Sequence, residues 1–509
     1  MRSKKALANI LSSLVLQVVL IICGLIIPRL IIQTFGSSVN GVISSISQFL
    51  GFIVLLEAGV GGVVRAALYK PLANNDSISI SKIIKATEKF FRIVALIYIF
   101  YLISIAIIFP YIVNNEFDNF FTLTLVLIIG ISTIIQYYFG ISYQILLIAD
   151  QKQYINSLLQ IVTVIINAII AVVLIKLGSS IQIVKLGSAI IFILRPIILN
   201  LYVNHKYKII KKCNADNNAI KQRWDGLGHH VAYLVRINSD IITLTLFLNV
   251  KEVSVYSIYY MVVYGIENLV ATFSSGLEAA FGNMIAKDEK ESLSKNFRIF
   301  EFSSFTLTTI LFTSTALLIL PFISLYTKGI TDVSYYRPAF AYFFILAHAI
   351  YCIRIPYNSV VLAAGHYKKT RNGAFVESFI YVLLSIFFVN LFGLVGVAIG
   401  PLCAMLFRTV QYAIYLSKNI LKRTIWEFVK RVIVYTTSSF VAILIINFLP
   451  SIIIDSYIKW LIYAIIILAI TTTITLIIGA LFYKNDIKDI FIVIKGLKKA
   501  MSRRGPLKI

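Results

Sequence analysis

Six ionisable residues, Arg29, Glu57, Arg236, Asp240, Glu267 and Arg354, stand deep inside apolar runs. A charge there costs several kcal/mol unless it faces protein or water, so each needs a reason. A guanidinium keeps its charge and grips phosphate oxygens through paired N–H donors. Arg29, Arg65, Arg236 and Arg354 therefore suit an anionic head group. A carboxyl withdrawn from water holds its proton more tightly and can exchange it, or bind a cation, during a cycle. Glu57, Asp240 and Glu267 suit ion coupling or internal pairing. Arg236 and Asp240, four apart on one helix face, can satisfy each other, and Glu57 can partner Arg29. Arg65, Glu278, Glu301 and Glu377 lie near inner helix ends, where long side chains reach the interface. Glu57 and Arg65 share one stretch, LLEAGVGGVVRAALYKP at 55–71, with three glycines between them.

Other chemistries find little support. His229 and His230 open a helix and His348 stands alone, so no spacing suggests zinc. Cys23, Cys352 and Cys403 lie in apolar spans and Cys213 in a basic loop, without paired spacing, and read as packing residues. There is no nucleophile, metal or phosphate-cradling motif. The net charge of +25 has no soluble face to gather on, which excludes nucleic acid. Ser and Thr in SSFTLTTI at 303–310 are expected to bond their own helix backbone.

The elements that must carry these charges are membrane helices. Of the 509 residues 59% are hydrophobic and 14% charged, against roughly 25% charged in soluble proteins. Apolar runs long enough to cross a roughly 30 Å hydrocarbon core recur throughout, and strand-length alternation is absent, which excludes a β-barrel. The span rule gives about fourteen helices, near 10–33, 39–66, 86–112, 119–148, 154–176, 181–203, 227–248, 253–284, 298–326, 338–364, 371–391, 394–417, 430–449 and 458–483. The first has the basic start of a signal peptide but is too long and lacks a cleavage site, so it is expected to stay. Lysine and arginine gather in alternate loops, including NHKYKIIKKCNADNNAIKQR and HYKKTR. That places both termini in the cytoplasm. The tail KDIFIVIKGLKKAMSRRG reads as a basic interfacial or solvated segment.

The chain repeats itself at an offset of about 214 residues, as transporter halves do. VNGVISSISQ falls on VSVYSIYYMV, with Gly62 on Gly276 and Ala66 on Ala280; Gly178 falls on Gly393, Gly187 on Gly400, Arg195 on Arg408. This implies two six-helix bundles of like orientation, 1–212 and 213–424, with two extra helices and a basic tail in 425–509. Ala58, Gly62 and Ala66 read as small residues for close helix packing. Arg195 and Arg408 read as interface anchors beside anionic lipid. The deep charges are not repeated: Glu57 and Arg65 fall on alanines, Arg29 on Thr243, Arg236 and Asp240 on isoleucines. A twofold scaffold with onefold charge suits one asymmetric ligand in a wet space between the halves.

The segments IIPRLIIQTFGSSVNGVISS (26–45), LLEAGVGGVVRAALYKPLAN (55–74), RINSDIITLTLFL (236–248), VSVYSIY (253–259) and NLFGLVGVAIG (390–400) carry a resemblance over essentially the whole chain. The chain resembles the polysaccharide exporters of the multidrug/oligosaccharidyl-lipid/polysaccharide superfamily, the flippases of lipid-linked O-antigen or capsule repeat units. The resemblance implies an all-α polytopic protein of about fourteen transmembrane helices, V-shaped around a central cavity and working by alternating access. It implies no enzyme, no cofactor, and a drive drawn from a proton or sodium gradient or the membrane potential. The cargo would be undecaprenyl-pyrophosphate-linked oligosaccharide, moved across a bacterial inner membrane for surface polysaccharide assembly. The polysaccharide polymerase and chain-length regulator would be partners of a monomer. A drug antiporter of the same superfamily, or a membrane polymerase or ligase, are the alternatives. The first expects an acid-dominated cavity and the second a large outer loop, and neither is present in the sequence.

Overall fold

The computed structural model describes residues 2–57, 60–113, 116–207, 209–210, 213–216, 227–275, 278–448 and 454–490. Regular structure within them is helical throughout. Helix α1 (Arg2–Phe35) leads into α2 (Ser37–Gly51), a 3-10 segment at Phe52–Glu57 and α3 (Val60–Ala73). Then come α4 (Ser77–Ile112), α5 (Asn119–Ile135), a π-helical turn at Gln136–Gly140, α6 (Ile141–Ala149), α7 (Gln153–Lys176) and α8 (Ile181–Tyr207). The rest of the chain forms α9 (Leu227–Phe247), α10 (Val250–Ser275), α11 (Glu278–Ala286), α12 (Lys290–Tyr326), α13 (Pro338–Ala363), α14 (Tyr367–Phe392), α15 (Gly396–Leu416), α16 (Trp426–Asn447) and α17 (Tyr457–Phe482).

Each expected span falls on one of these helices or on a consecutive pair. Among the described residues 11 helical segments are long and apolar enough to cross a membrane. Helices α9 and α10 lie outside that set, for they carry His230, Arg236, Asp240, Glu252 and Glu267 among many hydroxyls. Large apolar side chains face outward, Phe100 at 71% exposure and Leu201 at 66%, as a chain solvated by lipid requires. Helices α1, α4 and α12 begin eight or nine residues before their apolar runs, because polar turns continue the helix beyond the hydrocarbon. Asp76 caps α4, accepting from the Ile78 and Ser79 amides at 3.1 and 3.0 Å, which satisfies two of its orphan donors.

The chain forms two compact units, one of Met1–Met261 with Gly329–Ser334 and the other of Val262–Lys328 with Tyr335–Ile509. The sequence repeat is visible as repeated packing. Helix α4 packs on α5, α7 on α8 and α5 on α8 in the first; α12 on α13, α14 on α15 and α13 on α15 repeat this in the second. The matched glycines do matching work: Gly178 and Gly393 hold φ of +74° and +57°, a positive φ that costs other residues about 1–3 kcal/mol. Gly187 and Gly400 sit against their hairpin partners, a Cβ at Gly400 falling 2.5 Å from the Ser385 amide nitrogen and one at Gly187 3.1 Å from the Leu174 side chain.

Within the first unit, repeat-matched positions touch. Asn40 donates to Ser254 Oγ at 2.8 Å across 214 residues, and a Cβ on Gly41 would fall 1.7 Å from the Val250 carbonyl oxygen. The start of α2 is capped from far along the chain, Asp332 accepting from the Ser37 amide and hydroxyl, both at 2.8 Å. At the other end of α1, Asp150 accepts from Lys5 at 3.2 Å and Tyr207 at 2.5 Å and pairs with Lys152 at 2.6 Å.

The second unit corrects three expectations. Hydroxyls of α12 reach other helices rather than only their own backbone: Thr306 meets Tyr435 at 2.7 Å and Ser314 meets Thr471 at 2.9 Å. Glu301, read as a snorkelling residue, is fully buried between Arg423 (2.5 Å) and Arg431 (2.9 Å) and also accepts from Tyr357. Arg431 continues to Asp486 at 2.7 Å. Glu377 is likewise buried, and Arg408, read as a lipid anchor, is 1% exposed and pairs with it at 3.3 Å. A carboxylate this deep is paired with the guanidinium beside it and does not reach water.

Candidate functional site

In the turns leading up to Glu57 the second span stops being an α-helix. Six residues, Phe52–Glu57, tighten into a 3-10 segment between α2 and α3. The change releases backbone carbonyls from the α pattern, and such groups must find other donors. Tyr101 of α4 donates to the Phe49 carbonyl at 2.6 Å. His230 of α9 lies 3.3 Å from the Val54 carbonyl through Nε2. Facing this segment is the second irregularity, the π-helical turn QYYFG at Gln136–Gly140. An extra residue in a turn re-aims a side chain. Here it places Tyr137, 3% exposed, so that its hydroxyl donates to the Glu57 carboxylate.

Beside that bond lies a cavity of about 390 Å³, lined by Glu57, Gly61, Thr133, Tyr137 and Gln144 among others. A second, of about 280 Å³, shares Val54, Thr133 and Tyr137 and runs toward Ser47 and Gly51. Water occupies about 30 Å³ of liquid per molecule, so the first holds several. The Gln144 Nε2 is buried with no hydrogen-bond partner among the described residues. A carboxylate, a phenol, a hydroxyl and an unused amide around one small space can take up and release a proton or a small cation. Glu57, expected either to couple an ion or to partner Arg29, accepts here from the Tyr137 phenol.

The other predicted residues divide between the units. In the first, Arg29 lies half-buried on α1, and Arg65 on α3 donates through Nε to the Gly61 carbonyl at 3.1 Å, one turn back. Arg236 on α9 has its guanidinium 5.8 Å from the Tyr233 ring. Asp240, one turn on, is 2% exposed and accepts from Tyr256 of α10 at 2.7 Å. In the second, Glu267 is 2% exposed and meets His348 Nδ1 at 2.6 Å, with Phe344 against the imidazole. Arg354 donates to Glu377 and stacks 4.7 Å from the Tyr351 ring. Glu377 therefore sits between Arg354 and Arg408.

Gly62 and Ala66 are exposed, and a Cβ at Gly62 would meet no described atom within 4 Å, so they do not mediate the close packing expected of them. Ala58 and the basic tail beyond 490 lie outside the described residues. Tyr137, His230 and His348 were not legible as site residues, because each partner is 80 or more positions away or a backbone carbonyl. The signal available was indirect: GFIVLLEAGVGG places an acid two residues before the first of three glycines, a pattern suited to an interrupted helix. No group of three or more His, Cys, Asp or Glu side chains among the described residues is arranged to hold a metal ion.

Neither a protein-family model nor a curated protein sequence matches the chain significantly. Solved structures do. The fold is similar to that of the lipid II flippase MurJ in an inward closed conformation, with a TM-score of 0.70 at 16% identity over 95% of this chain and 99% of that one. It is also similar to a mutant form of the Vibrio cholerae MATE transporter VcmN, with a TM-score of 0.59 at 14% identity over 83% and 99%. The MATE multidrug transporter DinF-BH gives a TM-score of 0.58 at 12% identity over 82% and 95%. The chain thus has the MurJ/MATE transporter fold of a multi-pass membrane protein.

Proposed function

We propose that this protein is a flippase that carries undecaprenyl-pyrophosphate-linked oligosaccharide repeat units from the inner to the outer leaflet of a bacterial inner membrane. The observation that carries the reading is the extent of the likeness: the MurJ flippase covers 95% of the chain and the MATE transporters 82–83%. The polyhydroxylated, anionic cargo cannot cross hydrocarbon unaided, since each unpaired polar group costs a few kcal/mol. Arg29, Arg65 and Arg236 are proposed to hold the pyrophosphate. Arg354, engaged by Glu377, is proposed to act in the scaffold. Glu57, with its phenol partner and its cavity, is proposed as the carboxyl that couples movement to a proton or sodium gradient. Glu267 with His348 is proposed as a structural pair of the second unit, and Asp240 with Tyr256 as a positioning bond. The bundles 1–212 and 213–424 would move against each other, with 425–509 appended, both termini cytoplasmic. A polysaccharide polymerase and a chain-length regulator would receive the product from a monomer.

The test uses purified protein in vesicles loaded with a fluorescent polyprenyl-pyrophosphate oligosaccharide. Transfer to the outer leaflet, read by quenching, should require the protein, fall in Arg29→Gln and Arg236→Gln, and lose its gradient dependence in Glu57→Gln. Expulsion of a cationic dye without any lipid transfer would overturn the reading in favour of the drug antiporter.

A further inference from the structure

A separate cavity, of about 800 Å³, has no part in the site above. It opens on the flank of the first unit between α4, the start of α6, α8 and residues 209–210 and 213–215. We propose that this groove binds the phosphate head group of an anionic phospholipid of the leaflet on its side of the membrane.

Its polar floor is cationic. Lys85, Lys89 and Arg92 occupy successive turns of α4 and all line it; the one carboxylate among its lining residues is Glu88. Glu88 is already engaged, accepting from Tyr143 at 2.8 Å and pairing with Arg92 at 3.6 Å. Lys85 is fixed by donation to the Cys213 carbonyl at 2.8 Å, and the Arg92 guanidinium stacks 5.0 Å from the Tyr138 ring. The groove thus offers a net surplus of positive charge in a held arrangement, with Asn200 and Asn204 able to bond glycerol or ester oxygens.

Its rim is apolar and faces outward. Ile93 is 50% exposed, Leu96 57%, Tyr138 41% and Phe139 40%. Such a surface one or two turns along the same helix suits acyl chains, not water. A soluble phosphate would use the floor and gain nothing from the rim, so the combination selects a lipid. The groove lies at the end of the bundle that bears the basic segment after α8, the side on which positive loops and anionic lipid meet.

The test uses full-length protein stripped of lipid and titrated with phosphatidylglycerol, phosphatidylcholine or soluble glycerol phosphate, with adducts counted by native mass spectrometry. Phosphatidylglycerol should be retained in preference to phosphatidylcholine. Lys89→Gln/Arg92→Gln should weaken retention about thirty-fold, at about a factor of five for each cation. Arg92→Lys should keep most of it, and Lys368→Gln/Lys369→Gln, in a different basic segment, should leave it unchanged. Equal retention of both lipids, equal retention by the double variant, or displacement of phosphatidylglycerol by equimolar glycerol phosphate would each overturn the proposal. Both substituted side chains are exposed, and a folded double variant is verified by its elution volume.

Discussion

Arg354 offers the sharpest test of how charge is distributed in this fold. Its guanidinium is 8% exposed and donates to Glu377, itself 7% exposed, whose other oxygen lies 3.3 Å from Arg408 Nε. Arg408 is committed further, donating to the Thr370 carbonyl at 3.1 Å, Gln411 at 2.5 Å and Tyr412 at 2.8 Å. Breaking a buried pair by removing one partner costs about 3–5 kcal/mol. Arg354→Gln leaves Glu377 with Arg408, so the lower end, about 3 kcal/mol, is expected. Glu377→Gln leaves two guanidiniums facing one another without an anion, so the upper end, about 5 kcal/mol, is expected. The double substitution should cost less than the sum of the singles by about 2–3 kcal/mol. Chemical unfolding of the protein in detergent, followed by tryptophan fluorescence, measures all three. If Arg354→Gln unfolds within about 0.5 kcal/mol of the parent, as surface changes do, and lipid transfer alone is lost, the scaffold assignment is wrong.

Other consequences can be checked more simply. Gly41→Ala would press a Cβ to 1.7 Å from a backbone carbonyl that cannot swing away, so no monodisperse peak is expected in size-exclusion chromatography. Gly178→Ala and Gly393→Ala should each cost about 1–3 kcal/mol by forcing alanine to a positive φ, seen as drops in melting temperature. Asp332→Ala removes two hydrogen bonds to Ser37; a loss of about 1–2 kcal/mol with faster amide exchange at the start of α2 is expected. Burial works to raise the Asp150 carboxyl, but bonds from Lys152, Tyr207 and Lys5 outweigh it and hold it below the ordinary value of 3.8. Its contribution is therefore present above pH 3.8 and lost as pH falls through the lower folded value. Asp150→Asn should abolish that acid-side slope in a melting series from about pH 5 to about pH 2.

The helical class and the repeat were legible because apolar run length and glycine placement are local properties. Gly178 and Gly393 could be matched from sequence since a positive φ demands glycine wherever the same hairpin recurs. The depth of each charge was legible too, but not its partner. Glu301 finds Arg423 after 122 residues and Glu267 finds His348 after 81, separations that no periodicity connects. Near the inner ends, run length could not tell a carboxylate that reaches water from one enclosed by arginines, and Glu301 and Glu377 proved to be the latter. At Gly62 the small side chain was visible but not whether a neighbour stood opposite it.

The tightened turn at Phe52–Glu57 also alters bearings along the second span. A 3-10 segment rotates about 120° per residue where an α-helix rotates about 100°, and it rises about 2.0 Å instead of 1.5 Å. By Glu57 six such residues have added roughly a third of a revolution and about 3 Å of advance to what an α-helix would give. A helical wheel drawn from Ser37 therefore misassigns the azimuth of Glu57, and any residue swap designed on α3 must take its compass from Val60, Val64 and Leu68, which are buried.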